Sequence, residues 1–307
     1  MTLGLLTAAL PWAPAGGGRA FAQQISDPDF RPEVAEPAFT TGPRMLIDQA
    51  HRNFHTAEGR YAPFAALMQA DGWNIGLGIA PFSAATLKDF NLLVIANAGE
   101  DGEPAFTPDE CAAVEEWVRG GGSLWLIADH APFGAAARAM AQAFGFDMGN
   151  GWVYRPDGSG VTTQMDFEPG FGLEPFHPIT RGRSRTERVG LVRGFTGQSL
   201  TRPEGAMEVL ILPPGAREAS SPAELDTAAA EMRAGMPLSA PMLMDRCQGF
   251  ALEHGQGRLL ALGEAAMLSA QILIQADGTE IPAGMNVPEL DNMQFALNAA
   301  RWLGRAI

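Results

Sequence analysis

From Arg44 onward the chain alternates short apolar runs with longer segments whose apolar residues recur every three or four positions, a pattern that predicts strands and helices in turn. The runs Met45–Asp48, Trp73–Leu77 and Leu92–Ala96 predict strands, with helices over about Gly59–Ala70 and Ala84–Asp89 between them. Thr107, Pro108 and then Glu110 mark a helix start, and Cys111, Val114, Trp117 and Val118 fall on one face of that helix. Gly120, Gly121 and Gly122 end it, and Leu124–Ala128 predicts the next strand. Phe133, Ala137, Met140, Ala141 and Phe144 form the stripe of a further helix closed by Gly145. Strands alternating with helices build parallel βαβ units, so the expected fold class is α/β, a doubly wound and mostly parallel sheet.

The pattern weakens between 146 and 245, where Gly and Pro are frequent. Arg188–Arg193 and Met207–Leu212 predict strands there, and Ala219–Met236 reads as a surface helix or a mobile loop. The stretch is expected to be an irregular insertion lying over the sheet, within a single domain over 44–307. Gly249–Glu253, a turn at His254-Gly255-Gln256-Gly257 and Arg258–Leu262 predict a hairpin. A last helix over about Pro288–Leu303 buries Leu290, Met293, Leu297 and Trp302.

Upstream, residues 23–43 predict an extended lead-in, because Pro28–Pro43 carries four prolines and no periodicity. Positions 1–22 read as a signal peptide, an apolar run ending in the small-residue tripeptide Ala20-Phe21-Ala22, so a periplasmic or secreted product is expected. No Lys or Arg precedes the apolar run; a misassigned start or a buried N-terminal segment is the alternative. No later run reaches the roughly 18–20 apolar residues of a membrane span. Of 307 residues 46% are apolar, enough for a core, and 35 acidic against 21 basic residues give a net charge of −14. That charge argues against nucleic acid or anionic lipid as partner. Cys111 and Cys247 form no CxxC pattern and are expected to be two unrelated buried thiols rather than a disulfide pair.

Ligands of open parallel sheets bind beyond the carboxyl ends of the strands. The polar residues at those ends are Asp48, His51, Asn53 and His55 after the first strand, Asn97 and Glu100 after the third, Asp129 and His130 after the fourth, and Glu264 after the late strand. His177, before Pro178 in the insertion, could reach the same rim. Two chemistries could use such a cluster. Asp48, His51, His55 and His130 could hold a divalent ion such as zinc that activates water. Alternatively His130 or His55 is a general base oriented by Asp48 or Asp129, with Glu264 and His177 as further catalytic candidates and Asn53, Asn97 and Glu100 binding substrate. Each residue also has a structural reading: Asp48 as a turn acceptor, Glu264 as a helix N-terminal carboxylate, His177 as turn chemistry.

The segments "DQAHRNFHTAEGRYAPFAALMQADGW", "FTPDECAAVEEWVRGGGSLWLIADHAPFG", "HPITRG", "GRLLALGEAAMLSAQ" and "DNMQFALNAARWL" resemble the class I glutamine-amidotransferase-like superfamily, within it the exported branch, with a further likeness to ThuA-like proteins. The resemblance covers about Arg44 to Leu303 and implies a flavodoxin-like sheet. Amidotransferases of this superfamily place a nucleophilic cysteine on the turn occupied here by Asp129 and His130, and a His-x-Glu where "GEAAM" stands. Thiolate-dependent glutamine hydrolysis is therefore not expected. The ThuA-like members also carry a histidine at the turn of His130. The expected function is an exported hydrolase-like enzyme acting on a polar small molecule, with carbohydrate suggested by the ThuA likeness alone. The alternative is a non-catalytic binding or scaffold domain.

Overall fold

The computed structural model describes residues 21–307. The signal-peptide reading thus lies outside the described residues except at Phe21 and Ala22. The chain begins with β1 (Phe21–Ser26), β2 (Arg44–Asp48), α1 (Ala62–Ala70), β3 (Asn74–Gly78), α2 (Ala84–Leu87), β4 (Leu92–Ala96), α3 (Pro108–Arg119), β5 (Ser123–Ile127) and α4 (Phe133–Ala143). The middle holds β6 (Trp152–Asp157), β7 (Gly160–Thr162), β8 (Met165–Pro169), β9 (Gly172–Leu173), α5 (Pro178–Arg181), β10 (Val192–Gly194), β11 (Met207–Ile211), β12 (Arg217–Ala219) and α6 (Pro222–Arg233). It closes with β13 (Cys247–His254), β14 (Gly257–Leu262), β15 (Ala270–Gln275), β16 (Glu280–Gly284) and α7 (Asn292–Leu303).

Five strands, in the order β14-β5-β4-β2-β3, pair in parallel and form the half of a ten-stranded sheet that carries the polar strand ends. Their apolar residues alternate between two cores as strand geometry requires. Met45, Ile47, Leu92, Val94, Trp125, Ile127, Leu260 and Leu262 face the layer of α1 and α7. Leu46, Leu93, Ile95, Leu124, Leu126, Leu259 and Ala261 face α2, α3 and α4. Helices therefore cover both faces, and the buried strands read as near-continuous apolar runs for that reason.

Helix starts follow local chemistry. Thr107 accepts from the Glu110 N–H while the Glu110 carboxylate accepts from the Thr107 N–H, the capping box the spacing predicts. α1 begins at Ala62 rather than Gly59, because the Gly59 and Tyr61 N–H groups both turn back to the Thr56 carbonyl. α7 begins at Asn292 rather than Pro288, after a turn in which Leu290 N–H donates to the Val287 carbonyl.

The stretch 146–245 is more regular than its composition suggests. β11, β9, β8 and β10 extend the main sheet beyond β13, so this part is continuous with the sheet instead of lying over it. A second small sheet, β12-β6-β7, packs Tyr154, Val161 and Ala219 against Leu225, Ala228 and Ala229 of α6. The expected strand Arg188–Arg193 is confined to Val192–Gly194, and Ala219–Met236 is helical over Pro222–Arg233. β13 and β14 form the expected hairpin, in register from Gly249↔Leu262 to His254↔Gly257. A third sheet, β1-β15-β16, has no counterpart in the sequence reading. Cys111 and Cys247 are free and buried. No helix among the described residues is long and apolar enough to cross a membrane.

Candidate active site

β5 and β14 run side by side with Ile127 opposite Leu262, and two residues beyond that pair stand Asp129 and Glu264. Matched register thus brings two carboxyl groups to neighbouring strand ends, 7% and 0% exposed. Glu264 accepts backbone N–H groups of Ala266 (3.0 Å), Met267 (2.8 Å) and Phe195 (3.3 Å). The chain at 194–197 covers it so closely that a Cβ on Gly197 would lie 2.3 Å from the Gly263 carbonyl oxygen and 3.0 Å from Glu264 Cβ. Asp129 Oδ1 accepts the His130 N–H at 2.8 Å. Burial, followed by the negative charge of Asp129, pushes the Glu264 pKa well above the ordinary carboxyl value. Burial likewise raises Asp129 to about 7, against the hydrogen bonds from His130, Asn97 and Ala265. Two desolvated carboxyls that repel each other retain a proton between them near neutral pH.

Two imidazoles stand beside this pair. His130 Nδ1 lies 2.8 Å from the Ala131 carbonyl, which can only accept, so Nδ1 carries the proton and Nε2 presents a lone pair. The ring stacks on Trp152 at 5.1 Å. Asn97 sets the other tautomer. Its Oδ1 accepts the Asp129 N–H at 2.8 Å, which turns Nδ2 toward His55 Nδ1 at 3.0 Å. His55 Nδ1 is therefore the acceptor and its Nε2 the donor. Burial, then the positive charge of Arg60, lowers His55 to about 3, and burial lowers His130 as well, so both rings are neutral at pH 7. Tyr61 completes the floor: its ring lies 4.7 Å from His55 and its hydroxyl donates to the Ala265 carbonyl at 3.0 Å.

His51 goes elsewhere. Its Nδ1 and Nε2 are each 2.8 Å from a carboxylate, Asp48 Oδ1 and Glu110 Oε1, and Phe82 and Phe106 flank the ring at 4.5 and 4.8 Å. Asn53 closes the network, donating to Asp48 Oδ2 at 2.9 Å and accepting the His51 N–H at 3.0 Å. This arrangement fastens the loop after β2 to the first turn of α3. Burial alone would lower the His51 pKa, but the hydrogen bonds and charges of Asp48 and Glu110 outweigh it and raise the value. Glu110 is held down to about 2: burial would raise it, and the bonds from Thr107, His51 and the Phe82 N–H prevail.

A stability test follows from this network. His51→Gln is expected to lower the unfolding free energy by about 2–3 kcal/mol at pH 6, because it leaves carboxylate charge unbalanced. A raised histidine pKa gives stability that is full below about 6.5 and fades as pH rises through the folded value. The gap between wild type and variant in urea titrations should therefore shrink toward pH 9; a gap that widens would refute the charged-ring assignment.

The remaining candidates are scattered. His177 caps α5, its Nδ1 accepting the Ile179 N–H at 3.2 Å, and it packs on Trp302 beside Arg258. Arg258 pairs with Ser123 at the start of the parallel strands, so His177 lies at the end of the sheet opposite Glu264. Glu100 is exposed, its N–H bonded to the Arg52 carbonyl. Asp48, His51, His55 and His130, the residues expected to share a divalent ion, fall into two networks: both His51 nitrogens are bonded to the Asp48 and Glu110 carboxylates, while His55 and His130 stand in the second cluster beside Asn97 and Asp129. No group of three or more His, Cys, Asp or Glu side chains able to hold a metal occurs among the described residues. Burial raises the Cys111 and Cys247 thiols to about 11 and about 12, far from a reactive thiolate. Arg60, Tyr61 and Trp152 were not singled out from sequence; the "GRY" at 59–61 directly after the histidine pair is the signal that could have shown the first two.

Neither a family model nor a curated protein sequence matches the chain. Solved structures do. The mmIFT52 N-terminal domain aligns over 85% of this chain and 97% of its own, with 14% identity and a TM-score of 0.59, and this likeness shows a shared fold. Structural neighbours also include a ThuA-like protein from Bacteroides uniformis (14% identity, 89% of this chain and 94% of that one, TM-score 0.47). Another is Cytoplasmic Protein STM3548 from Salmonella typhimurium (13% identity, 85% and 98%, TM-score 0.49).

Proposed function

We propose that this chain is an exported hydrolase-like enzyme, built on a flavodoxin-like sheet of the amidotransferase-like kind, that acts on a polar small molecule. Carbohydrates are the first class to test. The observation that carries the reading is the placement of Asp129 and Glu264, two buried carboxyls on neighbouring strand ends beside His55 and His130, where burial raises both carboxyl values and lowers both imidazole values. Environments that drive titratable groups apart in this way separate an acid from a base.

In this mechanism His130 Nε2 takes a proton from water as the water attacks. Asp129, the less enclosed carboxyl, gives its proton to the leaving group. Glu264 is a positioning residue: burial and the negative charge of Asp129 keep it protonated, and its bonds to the Ala266, Met267 and Phe195 N–H groups fix the two strand ends beside each other. The His55 Nε2–H donates to the negative charge that develops on the substrate. No thiol takes part, in keeping with the raised Cys111 and Cys247 values.

The competing reading, a non-catalytic binding or scaffold domain, draws on the three backbone donors that satisfy Glu264 and on the closed Asp48–His51–Glu110 network. Chromogenic glycosides and esters assayed with the purified protein separate the two, and on the export reading that protein starts at Gln23. Turnover that falls about 100-fold or more in Asp129→Asn and His130→Ala, with the fold retained, is the expected result. Turnover unchanged in both variants would remove the roles given to Asp129 and His130, and no turnover on any substrate favours the scaffold.

A further inference from the structure

Arg60 lies at the rim of the site, one residue before Tyr61. Its guanidinium sits 4.6 Å over the Phe54 ring, and its Nη1 donates to Gln271 Oε1 at 3.0 Å. The Nε and Nη2 edge takes no acceptor, and no carboxylate pairs with the group among the described residues. That is unusual in a chain with 35 acidic and 21 basic residues: a half-buried arginine normally has an acidic partner. From Phe54 the aromatic surface continues through Phe133 (5.9 Å) and His130 (6.3 Å) to Trp152 (5.1 Å). The free guanidinium edge and the proposed general base thus stand at two points along one wall.

We infer that Arg60 receives the carboxylate of the small molecule, and that the substrates are sugar acids of the uronate class, with the carbon face of the ring against the aromatic wall. The inference rests on the reading of the site as catalytic. A guanidinium edge with two parallel N–H groups matches a planar carboxylate. One positive charge, in a chain of net negative charge, balances a monoanion better than a phosphate dianion.

Calorimetric titration of the full chain with glucuronate, glucose and inorganic phosphate tests this. Glucuronate should bind at least about 10-fold tighter than either of the others, and Arg60→Gln should weaken it about 10- to 100-fold. Arg60→Lys, which keeps the charge but loses the fork, should fall between, with unchanged thermal melts showing that both variants fold. Asp129→Asn should still bind glucuronate. Equal binding of glucose and glucuronate, preference for phosphate, no binding of any probe, or full glucuronate affinity in Arg60→Gln would each overturn the assignment. Arg60-dependent binding of glucuronate without turnover of any uronide leaves this subsite standing and removes the catalytic reading instead.

Discussion

Arg301→Met is expected to lower the unfolding free energy by about 4–5 kcal/mol, the largest single effect this structure predicts away from the site. Arg301 is 1% exposed on the last turn of α7. Its Nε and Nη2 hold both oxygens of Asp71 at 2.9 and 2.6 Å, Nη1 holds Glu187 at 2.9 Å, and Nη2 reaches the Glu36 carbonyl at 3.2 Å. Asp71 closes α1, Glu187 belongs to the middle stretch and Glu36 to the lead-in, so one side chain joins four separate parts of the chain. Removing it strands a carboxylate that is itself fully buried. Urea unfolding measures the loss. Replacing Arg301 and Asp71 together by apolar residues should recover a substantial part of it, since it removes the uncompensated charge. A single-variant cost below about 1 kcal/mol would show that solvent reaches Asp71 after all.

The second large effect concerns pH. A carboxyl whose folded pKa is raised keeps its proton longer in the native state than in the unfolded chain. Its contribution to stability is then full below the unfolded value and disappears as pH rises through the folded one. For Asp129 that window runs from the ordinary 3.8 to about 7. Roughly three pH units at about 1.4 kcal/mol each put the change on the order of 4 kcal/mol, with Glu264 acting in the same direction. Glu110 and Glu187, both held to about 2, act in the opposite sense at acid pH, so the informative quantity is a difference. Wild type should lose stability relative to Asp129→Asn between pH 5 and pH 8 in parallel urea titrations. A constant difference across that range would mean that Asp129 is ionised throughout.

The parallel half of the sheet was legible because its strands are buried on both faces and its helices are long enough to show their period. β7, β9 and β10 have three, two and three residues, too few for an alternation to register. Asp129 and Glu264 were readable as strand-end residues, and register alone makes them neighbours. The grouping of His51 with His55 failed for a backbone reason. Arg52 adopts φ +52° between them, a left-handed conformation that no periodicity announces. The loop after it sends one ring toward α3 and the other toward Asn97. Glu110 was readable as half of a capping box, but the bond from its other oxygen to His51 crosses 59 positions of sequence.

Asn97 makes the two halves of the site answer to one another. A carboxamide has an oxygen end and a nitrogen end, and here the peptide hydrogen of Asp129 dictates which end points where. Rotating that amide by half a turn would set its oxygen against His55 and oblige the imidazole to move its hydrogen to the other nitrogen. The tautomer available to a bound molecule is thus chosen by the main chain of a neighbouring strand, through a side chain that never itself gains or loses a charge.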